Sequence, residues 1–220
     1  MLTGEVKSAE ALLRMQQPDG SWELPEGFIE RIESCGLMVT VGYWVLEESC
    51  RQLAAWQARG VTLPLSVNLS ALQLMHPTMV SEMLELIHRY RIQPDTLILE
   101  VTESRRIDDP NEAVAILKPL RNAGIRIALD DFGVSELSLP RVWLLEPDAV
   151  KLHERLLHRA LSIPCARAAL PQAVTVLHQA GCQVVAEGVD SARHAELARE
   201  AGCDGLQGSW VSKLLPATGR

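Results

Sequence analysis

The chain has 220 residues, 47% hydrophobic and 22% charged, a balance that supports one large folded domain and excludes a disordered or low-complexity protein. Lys and Arg total 21 against 28 Asp and Glu, a net charge of −7, so no broad basic footprint exists for duplex nucleic acid or an anionic membrane surface. The longest apolar stretch, residues 37–46, falls far short of the ~20 residues of a membrane span, and Met1-Leu2-Thr3-Gly4-Glu5 has neither the basic lead nor the apolar run of a signal peptide.

Taken in order, the chain alternates between two patterns. Residues 9–15 are a weak strand candidate. Residues 41–59 follow with helical period, setting Trp44, Val45, Cys50, Leu53, Ala54 and Trp56 on one apolar side. Short segments rich in aliphatic and β-branched residues read as strands at 65–70, 97–103, 126–132, 149–153, 183–189 and 205–211. Helical patterns at 111–123 and 170–180 lie between them. The pairs Ala123-Gly124, Ala180-Gly181 and Ala201-Gly202 read as helix stops.

Repeated strand–helix units call for a parallel sheet with right-handed crossovers. Their number points to a βα barrel rather than an open doubly wound sheet, and no G-x-G-x-x-G follows any strand. No linker or internal repeat divides the chain, so residues 1–220 read as a single domain. The five cysteines (Cys35, Cys50, Cys165, Cys182, Cys203) form no C-x-x-C pair. They imply reduced thiols and a cytoplasmic location.

The polar residues collect where strands end. Glu10 lies in the first candidate, Asn68 in the second, Glu100 and Glu103 in the third, and Asp130 and Asp131 in the fourth. Lys151, Glu187 and Gln207 follow on the last three. One such residue alone is commonly a helix cap or a turn residue. Six successive strands carrying one at the same relative position is a different matter. In a parallel barrel these ends open on the face that holds the active site. Converging carboxylates repel one another, and divalent cations relieve the repulsion. Oxygen donors without histidine or cysteine suit magnesium or manganese and fit zinc poorly. Met15, Met75, Met79, Met83 and most tryptophans read as core or loop packing. His76, His88, His158, His178 and His194 read as surface residues.

Glu10-Ala11-Leu12-Leu13-Arg14 resembles the signature of EAL domains, the cyclic di-GMP phosphodiesterases of bacterial second-messenger signalling. Phe28-Ile29 with Glu33 and Gly36-Leu37, Asn68-Leu69-Ser70, Glu100-Val101-Thr102-Glu103, Asp130-Asp131-Phe132-Gly133, Glu187-Gly188-Val189 and Gln207-Gly208 follow in the family's order. The resemblance implies a modified TIM-type βα barrel, a two-metal site with Mg2+ or Mn2+, and hydrolysis of cyclic di-GMP to linear pGpG. It implies that Glu10, Asn68, Glu100 and Asp130 hold one ion. Asp130, Asp131 and Glu187 hold or position the other. Lys151 matches a lysine that contacts the attacking water, so Lys151 and Glu187 become the catalytic candidates. Leu13, Arg14 and Gln207 match ligand-contacting positions, Arg14 at phosphate and Gln207 acting through water. Glu103 matches the residue that anchors the loop after Asp130-Asp131-Phe132-Gly133. The partners implied are cyclic di-GMP, a second copy of the chain, and sensor or GGDEF domains upstream in a longer chain.

Three departures qualify the expected activity. The family's first strand, with its Gln-Pro pair, has no match in these residues. The loop that is usually Thr-Gly-Tyr-Ser-Ser is here Val134-Ser135-Glu136-Leu137-Ser138, and the usual Lys-x-Asp is Lys151-Leu152-His153. Ser135 removes a permissive backbone position and Glu136 adds negative charge beside an anionic substrate. The sequence therefore predicts weakened hydrolysis. The alternative is a catalytically degenerate domain that acts as a cyclic di-GMP receptor or protein-interaction module. An enzyme acting on another phosphate ester is a third reading.

Overall fold

The computed structural model describes residues 4–23, 27–102, 110–134, 138–213 and 215. Strand β1 (Ala9–Ala11) opens the fold, and a small antiparallel hairpin, β2 (Met15–Gln16) with β3 (Trp22–Glu23), follows it. Helices α1 (Phe28–Ser34) and α2 (Met38–Gln57) lead to β4 (Leu65–Leu69). Helices α3 (Ala71–Leu74) and α4 (Met79–Tyr90) lead to β5 (Leu97–Thr102), and α5 (Pro110–Asn122) to β6 (Arg126–Phe132). After α6 (Ser138–Leu145) and β7 (Ala149–Leu152) come α7 (Glu154–Ser162) and α8 (Pro164–Gln179). The chain then runs through β8 (Gln183–Ala186), α9 (Ala192–Ala201) and β9 (Gly205–Leu206).

Seven strands form one sheet in the order β1-β4-β5-β6-β7-β8-β9, with every pairing parallel. Among the described residues β1 pairs only with β4, and β9 only with β8, so the sheet is an α/β half-barrel with two end strands. The aliphatic runs explain why the sheet is internal. Leu97, Leu99, Val101, Ile127, Leu129, Val150, Leu152, Val184 and Ala186 are all buried, as strands covered by crossover helices must be. Helix α4 buries Met79, Met83, Leu86 and Ile87, which share one face at helical spacing and belong to the same core.

The expected βα architecture is present, with differences at the ends of elements. The segment 9–15 is not one strand: it leaves the sheet after Ala11 and re-forms in the hairpin. β8 stops at Ala186 and β9 at Leu206, although Glu187 N still donates to Leu152 O at 3.0 Å and Gln207 N to Ala186 O at 2.8 Å before the chain leaves the sheet. Helix α8 begins at Pro164, earlier than its apolar pattern suggested, and runs through Pro171. The three Ala-Gly stops hold, with φ of +93°, +84° and +90° at Gly124, Gly181 and Gly202.

Met79 and Met83 are core residues, but the tryptophans differ from expectation. Trp22, Trp44, Trp143 and Trp210 are exposed, and only Trp56 packs against the core. All five cysteines are free, with Cys50, Cys182 and Cys203 buried. Burial pushes the thiols of Cys50 and Cys203 up to about 12.

Gly208 closes the far edge. Val189 donates its N–H to the carbonyl of Gln207 at 3.0 Å, and Trp210 donates back to the carbonyl of Val189 at 3.0 Å. A Cβ on Gly208 would lie 2.3 Å from Val189 O and 2.4 Å from Val189 N, both backbone atoms that cannot swing away. Gly208→Ala is expected to cost about 3 kcal/mol, from a forced backbone shift at a position with φ of +153°. Urea denaturation should show a lowered midpoint with an unchanged slope, and an unchanged midpoint would show that the turn gives way.

Candidate active site

Local structure places the donors before any of them interact. At the end of β4, Ser70 caps α3 by accepting from Gln73 N, while Gln73 Oε1 accepts from Ser70 N. This capping box turns the chain just after Asn68. The β4–β5 register sets Asn68 beside Glu100. On β6 the register against β7 slips between Leu129 and Phe132, so Asp130 and Asp131 together occupy the stretch of β6 opposite Lys151 in the pairing. Such a bulge re-aims side chains. Here Asp131 takes a left-handed φ of +60°, and its N–H donates to Asp130 Oδ1 at 2.9 Å.

The result is an acidic cluster around one ammonium. Lys151 Nζ lies 2.7 Å from Glu187 Oε1, 2.9 Å from Glu100 Oε2, 3.3 Å from Glu10 Oε2 and 3.8 Å from Asp130 Oδ1. Glu10 is held from two further sides. Asn68 Nδ2 donates to its Oε1 at 2.7 Å, and Gln207 Nε2 donates to its Oε2. Gln207 sits just past β9, so this bond spans the gap between the two end strands.

Electrostatics follow from the crowding. Burial pushes Glu100 up to about 8; Lys151 opposes the rise, while Glu10 and Asp130 add to it. Burial likewise raises Glu187 to about 7, with Lys151 opposing and Asp130 and Glu10 adding. Burial alone would lower the Lys151 pKa, but the carboxylates of Glu100, Asp130, Glu187 and Glu10 outweigh it and hold the ammonium above the usual lysine range. Among the described residues four carboxylates share this one buried cation, and the site is short of positive charge. One oxygen each from Asp130, Asp131 and Glu187 lies within 4.8 Å of the others, so these groups could hold a metal ion. An all-oxygen donor set with surplus negative charge fits a hard divalent cation.

The residues expected at the strand ends therefore meet: Glu10, Asn68, Glu100, Asp130, Lys151, Glu187 and Gln207 form one connected network, with Asp131 at its margin. Leu13 and Arg14 do not join it among the described residues; Arg14 Nη1 donates to the carbonyl of Leu13 at 2.7 Å. Glu103 and the loop residues Ser135, Glu136 and Leu137 lie outside the described residues.

His153 has a local task that its sequence position concealed. It is the N-cap of α7, with Nδ1 accepting from Arg155 N at 3.1 Å. The neutral ring then carries its proton on Nε2, which stands 3.8 Å from Asp131 Oδ1. One expectation fails outright: His194 is not a surface residue but is buried. Only its place on the inner side of α9, beside Ala195 and Ala198, could have signalled this.

A parallel half-barrel whose strand ends converge acidic groups on a lysine defines a class, and comparison with known proteins agrees. The family profile described as "EAL domain" matches residues 1–214. The chain belongs to the EAL domain family. The bifunctional diguanylate cyclase/cyclic di-GMP phosphodiesterase MucR of Pseudomonas aeruginosa is 34% identical over 216 residues, covering 97% of this chain and 31% of that protein. The cyclic di-GMP phosphodiesterase PdeR of Escherichia coli is 32% identical over 214 residues, covering 97% of this chain and 32% of that protein. The chain thus spans about a third of the length of these curated relatives. Among solved structures, the one described as "PaMucR Phosphodiesterase, c-di-GMP complex" superposes with a TM-score of 0.88 at 33% identity, over 94% of this chain and 85% of that one. No helix among the described residues is long and apolar enough to cross a membrane.

Proposed function

We propose that this domain hydrolyses cyclic di-GMP to linear pGpG with Mg2+ or Mn2+ bound among its strand-end carboxylates. The observation that carries this reading is the network in which Lys151 contacts Glu10, Glu100, Asp130 and Glu187 within 3.8 Å. In this reading Glu10, Asn68, Glu100 and Asp130 hold one ion, and Asp130, Asp131 and Glu187 the other. When bound, such ions neutralise phosphate oxygens and lower the pKa of water. Lys151, whose side chain is held rigid by its four partners, orients the attacking water and offsets charge at the phosphodiester. Gln207 fixes Glu10 from across the sheet edges. Arg14, on the segment leaving β1, supplies a cation for ligand phosphate, with Leu13 beside it. Glu103 takes the role of anchoring the loop that follows Asp130-Asp131-Phe132-Gly133.

The same reading takes residues 1–220 as one domain in the cytoplasm, which its free thiols support. It includes association into a homodimer and attachment to sensor or GGDEF domains. The length of the relatives supports the attachment.

His153, 3.8 Å from Asp131 where the family carries an acid, favours a second reading: binding of cyclic di-GMP without turnover. Incubation of the purified chain with cyclic di-GMP and Mn2+, followed by product chromatography, decides between them. The expected result is slow conversion to pGpG. Saturable binding with no product would establish the receptor instead, and neither binding nor product would remove both.

A further inference from the structure

Outside the acidic cluster, one other group of side chains is built for coordination. His158 on α7 and His194 on α9 meet edge to face, with ring centroids 4.6 Å apart and planes at 89°. Asp190, in the loop between β8 and α9, brings Oδ1 to 2.7 Å from His194 Nδ1. One ligand atom from each of the three lies within 4.8 Å of the others. His194 is only 3% exposed, and its Nδ1 is buried without a hydrogen-bond partner among the described residues. The Asp190 oxygen is therefore close to that nitrogen without completing a hydrogen bond to it. Buried polar atoms are rarely left so, and a site that leaves one is short of a partner.

We propose that His158, Asp190 and His194 form a second cation site, selective for a borderline divalent ion such as Zn2+. Two imidazole nitrogens and one carboxylate are the donor set of open zinc sites, with water completing the tetrahedron. Magnesium prefers the all-oxygen mouth and competes poorly for imidazole. Tetrahedral zinc holds its ligand atoms about 3.3 Å apart, given metal–ligand bonds of about 2.0–2.1 Å. His194 is fixed by burial, whereas His158 and Asp190 are exposed, so rotation can bring the His158 nitrogen in and move Asp190 Oδ1 out from its 2.7 Å contact with His194 Nδ1. The bound ion would join α7 to the loop that follows Glu187. That loop already packs on α7, since a Cβ at Gly188 would meet Glu154 Cβ at 2.3 Å. The ion's role is to clamp these two segments, and the site does not depend on the hydrolytic reading.

The test uses the full chain, stripped with a chelator and titrated with Zn2+ or Co2+ in excess Mg2+, which competes for the all-oxygen donors of the mouth. The expected result is one tight equivalent, a tetrahedral Co2+ spectrum, and shifted ring-nitrogen resonances of two histidines. His158→Ala and Asp190→Asn change exposed side chains, and each should weaken zinc binding at least tenfold with the circular dichroism unchanged. Asp130→Ala should retain the zinc equivalent. No uptake by the parent chain, or uptake unaffected by His158→Ala and Asp190→Asn, would overturn the proposal. So would a Co2+ spectrum dominated by thiolate charge transfer, which marks binding at exposed Cys35 or Cys165.

Discussion

Asp130→Ala is expected to abolish Mn2+ binding in the mouth and to lower hydrolysis at least ~1,000-fold, because a Lewis-acid contribution of several kcal/mol is lost and each 1.36 kcal/mol is tenfold in rate. Asp130 is the residue that both proposed ion positions share. In the β6 bulge it also accepts from Asp131 N at 2.9 Å, so its loss removes a bond that fixes the backbone of the neighbouring residue. The metal-free protein should melt no lower than the parent. Asp130 raises the pKa of both Glu100 and Glu187, and removing it relieves repulsion among buried carboxylates. Isothermal titration with Mn2+, product assays and thermal melts check the three parts separately. Unchanged Mn2+ affinity would remove Asp130 from the metal site, whatever happened to turnover.

Lys151→Met should show a different signature. Without metal, the parent relies on this ammonium, 4% exposed, as the only cation contacting Glu10, Glu100, Asp130 and Glu187 among the described residues. Deleting one side of a buried ion network costs about 3–5 kcal/mol. For a chain of this size the melting temperature of the metal-free variant should fall by about 10 °C. Saturating Mn2+ should restore most of that loss, since the ions then take over the charge compensation. Turnover should stay depressed under the same conditions while nucleotide binding persists, because the lysine's contact with the attacking water is not replaced. Melts with and without Mn2+, together with kcat and nucleotide affinity, separate the two roles. Parental turnover in Lys151→Met would show that the lysine serves charge balance alone.

Much of this arrangement was legible in the sequence, for a physical reason. Strands buried on both faces need aliphatic runs, so β4 to β8 announce themselves, and a polar residue at the end of such a run is visible against it. The ligand assignments came from the family's motifs and not from the pattern itself. What stayed hidden depends on pairing between distant segments. The β6 bulge exists only relative to β7, and nothing local in Asp130-Asp131 sets the register. Trp44 lies on the apolar side of α2 by period, yet what covers a helix face is decided by its neighbours, and here nothing among the described residues covers that ring fully. His153 and His194 were obscured in the same way. A cap is defined by where a helix starts, and burial by which helix packs against it.

The bond between Gln207 and Glu10 has a mechanical meaning. β1 is three residues long and is stitched to the sheet along one side, through Ala9, Glu10 and Ala11 against Leu65, Ser66 and Val67. On its other side, among the described residues, Glu10 is secured by a side-chain staple from beyond β9. A pull on the chain ahead of Ala9 therefore loads a short lever whose middle residue is in contact with Lys151, Asn68 and Gln207. Displacing the strand that carries Glu10 would loosen the acidic cluster from its edge inward while β5 to β8 kept their pairing.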